Sequence, residues 1–208
     1  MAAQKSATFY YLDLGRLGRG EVVNIFLKDA GIACKDIRYQ YDDTWAQKSK
    51  TLQDQGITRT GKLPAVEYQG LILTQHIPTL RYFARDLGSY DGETNKEKYV
   101  VDCVSDIYVD WRAQWVANLS NKTDKYKDEV VPEYHRLLEQ YYSENGGPYL
   151  LGDKITYADF AVYQSIDNDE RTGTLPSSLS QPLLKLCEAI EKRPNISEYI
   201  RETRVKKD

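Results

Sequence analysis

The sequence predicts an α/β unit of order βαβαββα followed by an all-α unit, and three observations carry that prediction. Strand and helix signals alternate over roughly the first 85 residues. Within that stretch a Gln69-Gly70 turn joins two short apolar runs as a hairpin. From about residue 95 the hairpin signals vanish, and apolar residues recur three or four positions apart.

Taken in order, Ala7-Thr8-Phe9-Tyr10-Tyr11-Leu12 is rich in β-formers and leads into a glycine-punctuated turn from Gly15 to Gly20. In the segment Glu21 to Ala30, residues Val22, Val23, Phe26, Leu27 and Ala30 fall at helical spacing, and Gly31 stands where a C-terminal cap belongs. Ile37 to Tyr41 reads as the second strand and Thr44 to Gln53 as its helix. Leu63 to Tyr68 and Leu71 to Leu73 form the hairpin. A helix over Ile77 to Leu87, with Leu80, Phe83, Ala84 and Leu87 on one face, closes the unit.

Gly, Ser, Asp and Asn cluster in the linker between the units, so the expected division is 1–87, linker 88–95, and 96–208. Beyond it Tyr99, Val100, Cys103, Val104, Ile107, Tyr108, Trp111 and Trp115 mark a long helix. Asp128 to Asn145 marks another, ended by Gly146-Gly147-Pro148. Thr156 is placed as an N-cap, with Asp159 three residues on to complete a capping box and Ile155 and Phe160 as a hydrophobic staple. Helices over Pro182 to Arg193 and Ile196 to Arg201 finish the chain.

Apolar residues make up 41% and charged residues 28%, the balance of a folded globular protein. A net charge of −3 without runs of one sign argues against nucleic acid, and the Lys206-Lys207 ending reads as a solvated tail. No apolar stretch approaches the roughly 20 residues that cross a bilayer. Met1 to Phe9 is too polar and short for a signal peptide, so a cytoplasmic location is expected and the sequons at Asn118, Asn121 and Asn195 carry no weight. Cys34, Cys103 and Cys187 match neither a disulfide framework nor a zinc site, and are expected to be reduced and buried as small hydrophobes. With His76 and His135 as the two histidines, no metal is expected.

Several segments together resemble the cytosolic glutathione S-transferases. They are Gly61-Lys62-Leu63-Pro64-Ala65-Val66-Glu67, Leu73-Thr74-Gln75-His76 leading to Arg81-Tyr82, Val101 to Asp106 running to Trp111-Arg112, the Gly152 to Phe160 box, and Pro182-Leu183-Leu184 through Arg193-Pro194. The likeness spans nearly the whole chain and is nearest to the tyrosine-type classes, sigma above all, with pi, mu and alpha near. It implies a thioredoxin-like first domain that binds glutathione and a helical second domain that shapes the second-substrate pocket. The family's motif of apolar residue, any residue, tyrosine and large apolar residue falls on Phe9-Tyr10-Tyr11-Leu12, which makes Tyr11 the catalytic hydroxyl. Strand alternation turns Tyr10 and Tyr11 to opposite faces, so one of the two serves.

The resemblance also implies a cis bond at Pro64 that presents the Leu63 backbone to the cysteinyl part of glutathione. It puts Trp45, a lysine from Lys48, Lys50 and Lys62, and the pair Gln75 and His76 around the two terminal carboxylates. Gln75-His76 replaces the family's usual Gln-Ser, exchanging a small hydroxyl for a ring. Arg16 or Arg19 takes the place of the family's arginine in a turn that runs about two residues long, and the Thr51 to Thr60 connection is lengthened too. Asp106 matches an aspartate that reaches the γ-glutamyl amine across a homodimer. Leu12, Arg16, Tyr108 and Trp111 are the expected walls of the second-substrate pocket. The implied activity is attack of the glutathione thiolate on a small apolar electrophile. A glutathione-dependent isomerase or dehydratase on the same site, or a non-catalytic binding protein of this fold, are the alternatives.

Overall fold

The computed structural model describes residues 6–204, so most of the polar Met1 to Phe9 segment and the Lys206-Lys207 tail lie outside the described residues. The chain divides into two units, Met1–Phe83 with Pro194–Asp208, and Ala84–Arg193. The segment from Pro194 on therefore groups with the first unit and not with the helices that precede it.

The first unit has the expected βαβαββα order. Strands β1 (Ser6–Leu12), β2 (Ala33–Tyr39), β3 (Ala65–Tyr68) and β4 (Leu71–Thr74) form one mixed sheet in the order β2-β1-β3-β4. β1 runs parallel to β2 and antiparallel to β3, and β3 pairs with β4 through the hairpin. Gln69 at φ 50 and Gly70 at φ 77 supply the two left-handed residues that such a two-residue turn requires.

β2 begins four residues earlier than the sequence suggests and ends at Tyr39. Its full length pairs with β1, from Ser6↔Ala33 to Leu12↔Tyr39, so partner geometry and not local propensity sets its bounds. Because β2 is an edge strand with an exposed start, Cys34 is exposed, and Cys103 and Cys187 are half-buried, which corrects the expectation of buried thiols.

Helix α1 (Arg19–Asp29) ends at Gly31, whose φ of 67 allows its N–H to reach the Lys28 carbonyl while the Ile32 N–H reaches that of Leu27. After α2 (Trp45–Asp54) and the hairpin comes α3 (His76–Leu87). Phe26 and Tyr68 pack against Phe83 at ring-centroid distances of 6.3 and 4.7 Å. All three rings are buried, and each contributes on the order of 2 kcal/mol through the apolar surface it removes from water. Helix α8 (Ser197–Arg204) belongs to this unit, and the Asn195 amide just before it donates to the Asp29 carbonyl.

The second unit opens with α4 (Asn95–Ala117), whose N-cap Thr94 and Glu97 form a reciprocal capping box. The helix expected over Asp128 to Asn145 is instead a π-helical turn at Tyr126–Val130 followed by α5 (Val131–Ser143). Pro132 lacks the N–H that a continuous α-helix would use there, which accounts for the break. Helices α6 (Tyr157–Thr172) and α7 (Gln181–Glu191) complete the unit. The Thr156–Asp159 capping box forms as expected, and Gly173 at φ 71 ends α6.

Buried polar groups anchor this core. Asp169 accepts hydrogen bonds from the Trp111 indole (3.0 Å), the Tyr126 hydroxyl (2.9 Å) and the Thr174 hydroxyl (2.5 Å). His135 stands edge-on to Trp111 at 5.2 Å, with a buried Nε2 that makes no hydrogen bond among the described residues. Burial pushes its imidazole down to about 4, against about 6.5 in an unfolded chain. A depressed base of this kind contributes stability that is fully present above about pH 6.5 and is lost as pH falls toward 4. His135→Leu cannot take up that proton, and is expected to lose about 1 to 2 kcal/mol less stability than the native chain between pH 7 and pH 5. Urea unfolding at the two pH values measures the difference. Asp159 and Asp169, both raised to about 6 by burial, act with the opposite sign but are common to both chains and cancel in the comparison.

Candidate active site

One row of the sheet organises the site. Tyr10 of β1 stands beside Ile37 of β2 and Ala65 of β3, and Ala65 stands beside Thr74 of β4. Tyr11 and Leu12 follow the first member of that row, Leu63 and Pro64 precede the third, and Gln75 and His76 follow the last. The expected tyrosine, the Leu63-Pro64 bond and the start of α3 are thus brought to the same end of the sheet. The Leu63-Pro64 bond is cis, as the resemblance implied.

Tyr10 and Tyr11 leave β1 on opposite faces and meet different partners. The Tyr10 hydroxyl donates to Glu67 Oε2 at 3.2 Å, and burial together with that carboxylate pushes its pKa up. The Tyr11 hydroxyl donates to the Leu17 carbonyl at 3.4 Å, a long bond to a neutral acceptor in the turn before α1. Its ring stacks on Phe9 at 5.9 Å and lies so close to the backbone of Gly20 that an added Cβ would come within 2.3 Å of it. The helix start at Gly18 to Gly20 is therefore beside Tyr11, where the positive end of the α1 dipole favours an anion.

Arg16 does not face an open pocket. It is 5% exposed and lies 3.8 Å from Glu21 Oε1, which is itself fully buried. Arg38 of β2 places its guanidinium 5.6 Å from the Tyr11 ring centroid and 5.1 Å from that of Phe9. Nothing in the sequence pattern singled out Glu21 or Arg38. Their roles depend on pairings between residues distant in the chain.

At the start of α3, Gln75 adopts φ 66 and stays exposed, while its carbonyl accepts the first helical bond from Thr79. His76 is 4% exposed, so the ring that stands in place of a small hydroxyl is buried at the start of α3. The positive end of the α3 dipole lies at His76 and favours an anion such as a carboxylate, although Pro78 in the same turn brings no N–H.

Helix α2 holds the loop that leads into Pro64. Ser49 Oγ donates to the Gly61 carbonyl at 2.7 Å, Gln53 to that of Arg59 at 3.2 Å, and Thr58 Oγ1 to that of Lys62 at 2.9 Å. On the same helix Trp45 sits between Tyr39 and Tyr41, with ring centroids 6.5 and 6.2 Å away. Lys48 and Lys62 are exposed, whereas Lys50 pairs with Asp54 at 3.5 Å one turn along. That pair is exposed and contributes little.

Asp106, Tyr108 and Trp111 belong to the helical unit. Asp106 is exposed on α4. Tyr108 and Trp111 are fully buried, and Trp111 stacks on Tyr134 at 5.8 Å while its indole is bound by Asp169. Both belong to the core of the helical unit and not to a pocket wall, because the helical spacing that marked them is the spacing of a buried stripe. Among the described residues no group of three or more His, Cys, Asp or Glu side chains could hold a metal ion. No helix among them is long and apolar enough to cross a membrane.

Comparison with known proteins agrees with this architecture. Residues 109–203 match the family model "Glutathione S-transferase, C-terminal domain". The chain is 29% identical over 205 residues to glutathione S-transferase 1 of Ascaris suum, an alignment covering 92% of this chain and 94% of that protein. It is 30% identical over 190 residues to a glutathione S-transferase of Plasmodium yoelii yoelii, covering 88% of each. A solved glutathione S-transferase of Caenorhabditis elegans superimposes with a TM-score of 0.80 at 27% identity, covering 97% of this chain and all of that one. Matched in sequence across both units and in backbone along almost its whole length, this chain belongs to the glutathione S-transferase family.

Proposed function

We propose that this chain is a glutathione transferase in which the Tyr11 hydroxyl stabilises the glutathione thiolate for attack on a small apolar electrophile. The observation that carries the reading is the shared row of the sheet, which gathers Tyr11, the cis Leu63-Pro64 bond and the N-terminus of α3 at one end. The Leu63 backbone pairs with the cysteinyl residue of glutathione. The γ-glutamyl carboxylate meets Gln75, His76 and the positive N-terminus of the α3 dipole. Trp45, Lys48 and Lys62 meet the glycine carboxylate, with Lys50 turned to Asp54. Asp106 reaches the γ-glutamyl amine of a second copy in a homodimer, and Leu12 borders the electrophile. A cytoplasmic location goes with this reading.

A free thiol has a pKa of about 8.5, so little of it is thiolate at neutral pH. Lowering that value by about two units requires roughly 2.7 kcal/mol of preferential stabilisation of the anion. A hydrogen bond to a charged group contributes about 1.5 to 3 kcal/mol, so one hydroxyl aided by the start of α1 is sufficient. Tyr11 fits this role better than Tyr10, whose hydroxyl is engaged by a carboxylate that would repel a thiolate. In the reaction the thiol proton leaves to solvent and the sulfur forms a bond to the electrophilic carbon. The leaving group departs with its electron pair.

Titration with glutathione followed by tryptophan fluorescence, and conjugation of an activated aryl halide, test the reading. Saturable binding with stoichiometric consumption of glutathione is expected. Absence of binding at millimolar glutathione overturns the reading, and turnover that returns the glutathione replaces transfer with isomerisation or elimination.

A further inference from the structure

Glu21 is a buried carboxylate that the transferase reading leaves without a task. It is 0% exposed on the first turns of α1, one residue after the glycine against which Tyr11 packs. Its two oxygens are held from the far end of the chain and from its own helix. Tyr199 on α8 donates to Oε1 at 2.8 Å, and Asn24 donates to Oε2 at 3.0 Å and also to the Tyr199 oxygen at 2.8 Å. The Lys28 ammonium lies 4.7 Å from the centroid of the Tyr199 ring and packs it further against α1.

Two guanidinium groups complete the cluster, and both lead to Tyr11. Arg16, 3.8 Å from Glu21, lies in the turn whose Leu17 carbonyl accepts the Tyr11 hydroxyl. Arg38 stands over the Tyr11 ring, is gripped by Asp36 at 2.6 and 2.8 Å, and donates to the Leu12 carbonyl at 3.4 Å. Burying such a carboxylate is expensive and weak evidence of a purely stabilising role, since an apolar replacement is often no worse. Its geometry instead fixes where the turn and the two cations sit around one phenol.

We propose that Glu21 and Tyr199 are positioning residues for Tyr11, so that α8 sets the placement of the catalytic hydroxyl through the Arg16 turn. The assignment rests on the transferase reading for its effect on catalysis, while its structural core, the coupling of Tyr199 to Tyr11, is independent of glutathione. Burial is the largest influence on the Glu21 carboxyl and pushes its pKa up, and the Asn24 and Tyr199 hydrogen bonds oppose this. Losing the Tyr199 hydroxyl thus removes one of the contacts that hold Glu21 in register with Arg16.

The test is Tyr199→Phe, which keeps the ring, the helix and the Lys28 contact. With the full chain, kcat for conjugation is expected to fall about tenfold and the acid limb of the pH–rate profile to move up by about one unit, with the KM for glutathione little changed, because a displaced hydroxyl stabilises the thiolate less. Glu21→Gln is expected to shift the profile in the same direction. NMR of the ligand-free protein with 13C-labelled tyrosine supplies a second readout: the Tyr11 resonance, assigned with Tyr11→Phe, moves in Tyr199→Phe while that of Tyr10 does not. A native pH profile accompanied by loss of thermal stability alone overturns the proposal, as does an unmoved Tyr11 resonance. If the native chain fails to bind glutathione, the transferase reading falls, and the NMR comparison still decides the coupling.

Discussion

Tyr11→Phe is expected to lower kcat/KM for glutathione conjugation by about 100-fold, the rate equivalent of the roughly 2.7 kcal/mol assigned to its hydroxyl. The substitution deletes one oxygen from a ring that remains stacked on Phe9 and packed against Gly20, so the fold should persist. The long bond to the Leu17 carbonyl contributes little to stability, and its loss leaves a carbonyl in a turn. The effect should appear as a pH–rate profile displaced to higher pH by about two units, with the ultraviolet absorbance of bound thiolate appearing at correspondingly higher pH. Glutathione affinity should change little, because the carboxylate contacts lie elsewhere. Tyr10→Phe is the control and is expected to keep activity within a few-fold. The assignment is overturned if it is Tyr10→Phe that abolishes the thiolate signal.

Asp159→Ala is expected to be the most destabilising single truncation in the helical unit, at about 4 kcal/mol. Asp159 is fully buried and accepts four hydrogen bonds: from the Leu150 N–H at 2.9 Å, the Thr156 N–H at 2.6 Å, the Thr156 hydroxyl at 2.8 Å and the Tyr142 hydroxyl at 2.9 Å. Removing it strands those donors, at roughly 1 to 3 kcal/mol for each that finds no water, and removes the Asp159 half of the capping box of α6. For a chain of this size the melting temperature should drop by roughly 10 °C. Circular dichroism during urea and thermal unfolding reads the change, and a loss below about 1 kcal/mol would show that water restores the lost bonds. Burial raises the Asp159 carboxyl to about 6, so its ionised form is costly at neutral pH even with four donors. Its value lies in what it satisfies, not in its charge.

The contrast between these two residues shows what the sequence could disclose. The Thr156–Asp159 box and the Gln69-Gly70 turn were legible because their chemistry is local: a cap and its partner lie three residues apart, and a left-handed turn needs particular residues. Gly31 was legible as a helix terminator for the same reason. The bounds of β2 were not, since β1 imposes its register from outside. Nor was the burial of Tyr108 and Trp111, because helical periodicity marks an apolar stripe without saying whether it faces a core or a cavity. Tyr11, Pro64 and Gln75 could be named through the resemblance, and the sheet register explains why three such separated positions share one end. Glu21 escaped notice because its principal donor, Tyr199, lies 178 residues away.

That separation has a consequence for how the protein is made. The helical unit is one uninterrupted stretch, Ala84–Arg193, and every residue it needs has been synthesised before α8 exists. The unit that carries Tyr11 is begun before the helical unit but must wait for Asn195 and Tyr199, which tie α8 back to Asp29 and Glu21. During translation the natural order of domain completion is reversed, and the Tyr11 turn stays without its Tyr199 tie until α8 has emerged from the ribosome. A nascent chain stalled before residue 194 would hold a complete helical unit and an unfinished catalytic one.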